Sequence, residues 1–156
     1  MYWVQKGLLF FHLIGLGLYI GFHAVTYLLS GRIQAAREAG DGAEELANSR
    51  MLFRVLVMAI WGLVLLLSSG LAMSILSGYG FFGTTWLTVK HVAFFAMILN
   101  TAHLLFIMRL LGRELSFVSG PPVPEAVRAL VERRKPFGLF NEVMTVIIIL
   151  SGVFRF

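Results

Sequence analysis

Hydrophobic and polar positions in this chain fall into long blocks. Four apolar stretches cover residues 3–29, 51–77, 82–111 and 137–154. Each reaches the roughly 17–25 residues a helix needs to cross about 30 Å of hydrocarbon. In lipid every backbone N–H and C=O must be satisfied within its own segment, so the stretches predict helices. Between them, residues 31–50 are rich in charge and small side chains. There Ala35-Ala36-Arg37-Glu38 and Ala43-Glu44-Glu45-Leu46 extend the flanking helices, with Gly40 and Gly42 as the break. In the 112–135 connection Gly120-Pro121-Pro122 stops any helix. Beyond it, Val127, Leu130 and Val131 fall on one face, predicting a short amphipathic helix over about 124–134 that lies on the membrane surface. Gly78-Tyr79-Gly80-Phe81 reads as a tight turn. The expected fold class is therefore all-α: one integral membrane four-helix bundle over residues 1–156.

Composition agrees. The chain is 58% hydrophobic and 13% charged, far less charged than a soluble domain. It has no cysteine, which excludes thiolate metal sites, cysteine-held iron–sulfur clusters and disulfides. The first stretch is too long for a signal h-region and carries no A-x-A-like site. The net charge of +5 is accounted for by loop charge. Arg32, Arg37, Arg50 and Arg54 flank the first long connection. Arg109, Arg113, Arg128, Arg133, Arg134 and Lys135 flank the other. Only Lys6 and Arg155 lie near the termini on the opposite side. The positive-inside rule then places both long loops in the cytoplasm and both termini outside, as a multi-pass protein of the cell inner (cytoplasmic) membrane. Nucleic acid is not an expected partner.

The candidate chemistry lies in four histidines, His12 and His23 on the first stretch and His91 and His103 on the third. An ionisable residue within a membrane span is costly without a partner, and so marks a candidate functional site. The two stretches run in the same direction, so depth can be counted at about 1.5 Å per residue. His12 lies nine residues after Trp3 and His91 nine after Phe82, about 13 Å in. His23 lies twenty after Trp3 and His103 twenty-one after Phe82, about 30 Å in. Two matched layers suit two haems, each gripped by imidazoles from facing helices. His12 and His23 are eleven residues apart, within about 20° on one helix face, which favours the arrangement. His91 and His103 are twelve apart, about 120° around the helix, which counts against it. One haem is thus better founded than two. Hydrogen bonding between helices, a copper site and a proton path are the other readings of these residues.

Other positions are less specific. Gly15, Gly17, Gly21, Gly62 and Gly70 suit either a macrocycle crossing a helix or close helix packing. Lys90 either snorkels to the interface or pairs with a haem propionate or anionic substrate. Arg54 and Arg109 are further propionate candidates. Asn100 and Thr101 are expected to bond across helices. Glu142 suits the first turn of the last helix, and is a candidate proton acceptor or partner of Arg50 or Arg54. Met97, Met108 and Met144 read as core filling, and Trp3, Tyr79 and Trp86 as an aromatic belt.

Several of these blocks together resemble a known family. The opening helix with His12, the basic Arg50-Met51-Leu52-Phe53-Arg54, Trp86-Leu87-Thr88-Val89-Lys90 with the later His103, and Phe140-Asn141-Glu142-Val143-Met144-Thr145 are similar to the HemJ-type protoporphyrinogen oxidases. More distantly they resemble the copper-resistance-D-like four-helix membrane proteins. The resemblance implies a haem b-binding membrane protein that oxidises protoporphyrinogen IX to protoporphyrin IX, with His12, Lys90, His103, Asn141 and Glu142 as the functional set. Met144 stands where the family pattern has proline, and the Lys90–His103 spacing is longer. His23 and His91 are additional to the pattern, and they complete the two layers.

The leading expectation is therefore a haem b protein carrying electrons within or across the bilayer, a cytochrome b-like subunit of a larger redox complex. His12 with His91, and His23 with His103, would be axial ligands to one or two haems. Partners would be lipid, other subunits or further copies of the chain, and quinone or porphyrin. A HemJ-like oxidase is the enzymatic alternative, and a non-catalytic structural subunit the third.

Overall fold

The computed structural model describes residues 2–78 and 84–154, apart from the side chains of residues 152 and 154. Every regular element among them is an α-helix: α1 (Tyr2–Glu38), α2 (Gly42–Arg54), α3 (Leu56–Leu76), α4 (Thr85–Ser116), α5 (Glu125–Arg133) and α6 (Lys135–Phe154). Among the described residues three stretches are long and apolar enough to cross a membrane: α1, the nearly continuous α2–α3 unit over Gly42–Leu76, and α4. The expected turn at residues 78–81, the third stretch's start at Phe82, the belt position Tyr79 and the terminal Arg155 lie outside the described residues, Gly78 excepted.

The helices overrun their apolar stretches. At 1.5 Å per residue the 37 residues of α1 span about 55 Å, so several turns project past a 30 Å hydrocarbon layer. The expected break falls at Gly40, whose φ of 72° only glycine adopts freely. Asp41 then caps α2 by accepting a hydrogen bond from the Glu44 N–H at 2.9 Å. Arg134 alone separates α5 from α6, and Pro136 sits in the first turn of α6, where its missing N–H is harmless.

Two helix pairs form the body, α1 along α3 and α4 along α6. The first pair meets backbone to backbone. A Cβ on Gly62 would lie 2.9 Å from the Tyr19 nitrogen, and one on Gly15 would lie 2.9 Å from the Leu66 nitrogen. These two glycines therefore serve close packing and are not the crossing point of a macrocycle. Phe10, Trp61, Phe95, Leu99 and Val153 point outward, an apolar surface far beyond what a water-soluble monomer exposes.

Where the two long connections gather, here termed the loop end, α2 and α5 close the bundle. Val127 and Val131 are fully buried with Ile33, Leu52, Leu111 and Leu115. The amphipathic helix is thus where the pattern placed it, but its apolar face packs on protein and not on the membrane surface. The physical reason is that the projecting ends of α1, α2 and α4 present an apolar floor that α5 covers. Glu45, fully buried, fixes this cap. It accepts from Arg37 Nε at 3.0 Å and from Arg128 Nη2 at 2.7 Å and Nε at 3.0 Å. Arg37 also donates to Glu132 at 3.2 Å, so one network ties α1, α2 and α5.

Candidate functional site

Two groups of polar side chains inside the bundle are anchored on α1. In the first, Ser69 of α3 donates its hydroxyl proton to the Leu65 carbonyl and lies 3.0 Å from His12 Nδ1. With its one proton committed, Ser69 can only accept, so His12 donates through Nδ1–H. The ring packs on Gly70, where an added Cβ would lie 3.5 Å from His12 Cε1. The charge of Lys90, from α4, reaches the same ring. His91, the residue after Lys90, is half-buried on α4.

The second group lies eleven residues further along α1. His23 is buried, and its Nδ1 stands 3.5 Å from Glu142 Oε1 of α6. Its ring makes edge contacts with Tyr19 and Phe22, at centroid separations of 4.8 Å and 5.3 Å. His23 Nε2 is buried and has no hydrogen-bond partner among the described residues. The Tyr19 hydroxyl is likewise buried, directed at Thr101 without reaching hydrogen-bond geometry. Arg134, buried at the α5–α6 junction, donates to Ser30, which donates to the Thr26 carbonyl at 2.6 Å. Thr26 in turn donates to the His23 carbonyl at 3.0 Å. A chain of polar groups therefore runs from the loop end to His23.

A seam between α4 and α6 completes this region. Asn100 Nδ2 donates to Asn141 Oδ1 at 2.8 Å and to the Phe137 carbonyl at 2.7 Å, and Asn141 Nδ2 donates to Thr101 at 2.9 Å. Thr145 donates to the Asn141 carbonyl at 2.7 Å and lies 3.7 Å from Met97 Sδ. Asn100 and Thr101 thus bond across helices as their sequence context suggested. An apolar groove of about 380 Å³, lined by Ala93, Ala96, Phe140 and Met144 among others, runs beside the seam.

The expected partner of His23 is elsewhere. His103 is exposed, with its ring 4.5 Å from that of Phe137. Phe137 and Glu142 are about 140° apart around α6, so His103 and His23 meet different faces of that helix. The twelve-residue spacing that counted against His91 and His103 sharing a face has this consequence. Glu142 is the eighth residue of α6 and not in its first turn, because the helix starts at Lys135. Its partner is His23, not Arg50 or Arg54. Arg54 and Arg109 are both exposed. Arg54 lies in a groove at the α2–α3 junction.

Sequence reasoning passed over Tyr19, Ser69 and Arg134. Tyr19 stands four residues before His23, and that i,i+4 spacing was the available signal. Ser69 and Arg134 gave none, since their role depends on which helices become neighbours. Among the described residues no cluster of three or more His, Asp or Glu side chains is placed to hold a metal ion. A haem iron needs only one or two imidazoles, so its ligands would not form such a cluster. Compared with known proteins, the chain matches no family model, no curated protein and no solved structure.

Proposed function

We propose that this chain is a four-span integral protein of the cell inner membrane, with both termini outside, that binds haem b and carries electrons within the bilayer as a subunit of a larger redox complex. The observation that supports this reading is the shared posture of the two α1 histidines. Each imidazole has a polar partner at Nδ1, Ser69 at 3.0 Å from His12 and Glu142 at 3.5 Å from His23. An Nδ1–H turned to such a partner would leave the Nε2 lone pair available, as in metal-ligating histidines oriented by a neighbouring acceptor. His23 is the better ligand, because its Nε2 is already out of water.

Bound haem would supply a one-electron couple. The chain's own residues do the rest. Glu142 would orient the His23 ring. Arg134 places positive charge near the same carboxylate, and Tyr19 and Phe22 pack edge-on against the His23 ring. Seating a porphyrin at Nε2 requires those two rings to move aside. His103 lies exposed against Phe137 and does not pair with His23, so the proposal is one haem at this site, with His12 a separate and weaker candidate.

The test is the reduced-minus-oxidised spectrum of detergent-purified protein supplied with hemin, with haem counted per chain. One haem per chain, lost in His23→Ala and kept in His103→Ala, supports the reading. A colourless protein contradicts it.

A second reading, the HemJ-like oxidase, is favoured by the charge of Lys90 acting on His12, two positions that the resemblance implies are functional. Turnover of protoporphyrinogen IX by the purified protein, abolished in Lys90→Met, would establish it.

A further inference from the structure

The groove at the α2–α3 junction carries an inference independent of haem. It holds about 450 Å³, and its lining includes Arg50, Arg54, Met51, Val57 and Met58. Arg50 and Arg54 are one turn apart on α2 and so share a face. Arg50 spends one N–H on the Val118 carbonyl at 2.6 Å, leaving the rest of its fork open. Arg54 has no partner among the described residues. The buried carboxylate of α2, Glu45, is already taken by Arg37 and Arg128. Two guanidinium groups therefore stand without a counter-charge.

Their position along the chain gives the counter-charge a chemical form. Immediately after Arg54 the sequence turns wholly apolar, and α3 (Leu56–Leu76) carries no Asp, Glu, Lys or Arg. The groove follows that change, from the arginines down to Val57 and Met58. A ligand that fills it has an anionic head at the arginine level and a hydrocarbon tail running into the bilayer. We infer that this groove is a binding site for an anionic glycerophospholipid, its phosphate held between Arg50 and Arg54 and an acyl chain laid on Val57 and Met58. Guanidinium forks match phosphate geometry, and basic pockets at the membrane boundary favour acidic headgroups. A zwitterionic lipid would bring its own cation against two arginines. Free phosphate would leave the apolar half of the groove unused. Because Arg50 also reaches Val118, the bound lipid would brace the α2–α3 junction against the segment after α4.

The test is native mass spectrometry of the full-length protein released from nanodiscs of phosphatidylglycerol mixed with phosphatidylcholine. One retained phosphatidylglycerol per chain is expected, enriched at least tenfold over its share of the mixture. Arg54→Gln, which removes no protein hydrogen bond or ion pair, should lose most of that enrichment, and Arg50→Gln/Arg54→Gln all of it, both with unchanged helix content. Arg109→Gln/Arg113→Gln, an equal loss of charge elsewhere at the loop end, should retain it. Equal retention of phosphatidylcholine, unchanged enrichment in Arg54→Gln, or an equal fall in the Arg109/Arg113 variant would each overturn the proposal. So would full displacement by millimolar inorganic phosphate, which would make the groove a plain anion site.

Discussion

His23 shows how much of a site one residue's surroundings decide. From the sequence it is one of four histidines at matched depths, and counting residues was enough to single it out. What the sequence withheld was direction. Helix periodicity placed His12 and His23 on one face, and both do turn inward on α1. It also placed His91 and His103 about 120° apart, and His103 lies exposed on Phe137. Glu142 was visible as an acid at the start of the last helix and a candidate proton acceptor, but its partner depended on α6 beginning at Lys135 and on the angle at which it meets α1. Oriented by this carboxylate, His23 should depend on it. Glu142→Gln is expected to weaken hemin binding by roughly 10–100-fold while leaving the helix content unchanged, as measured by titration. Ser69→Ala should leave binding at His23 unaltered.

Most of the helical path was legible because apolar block length and glycine–proline punctuation are local signals, but the break at Val55 between α2 and α3 carries neither. The contacts of α5 were not, because an amphipathic face reads the same whether lipid or protein covers it. Three substitutions test these contacts. Glu45→Ala strands Arg37 and Arg128, and since both are partly hydrated the cost should be about 2–3 kcal/mol, below that of a fully buried pair. Urea titration of the detergent-solubilised protein measures it. The second concerns Glu132, whose carboxyl is held below the usual range chiefly by its hydrogen bond from Lys135, with Arg37 adding to the effect. Its contribution to the cap is present above the unfolded carboxylate pKa of about 4.3 and is lost as pH falls through the lower folded value. Glu132→Gln should therefore reduce cap stability at neutral pH and flatten its loss in acid, with a small amplitude because the pair is partly solvated. In the α1–α3 pair, Gly62→Val should force the helices apart and cost about 1–3 kcal/mol, seen as a lowered melting temperature.

The whole molecule is a bundle of two helix pairs, α1 with α3 and α4 with α6, capped at one end by charged elements and sheathed elsewhere in outward-facing apolar side chains. That asymmetry predicts its orientation. The chain has no cysteine, so single thiols introduced at Ala43, Gly120 and Gln5 report without background. The first two should be modified by a membrane-impermeant reagent only in inverted vesicles, and the third only in right-side-out cells. The redox proposal is also a statement about the whole bundle, because ligand, orienting acid and neighbouring cation come from α1, α6 and the α5–α6 junction. Chemical rescue of His23→Gly tests it most directly. Lacking the imidazole, this variant should purify without a Soret band and regain one, at one haem per chain, when hemin is added with free imidazole. A Soret band of wild-type intensity in His23→Gly without imidazole would contradict the assignment of His23 as the ligand.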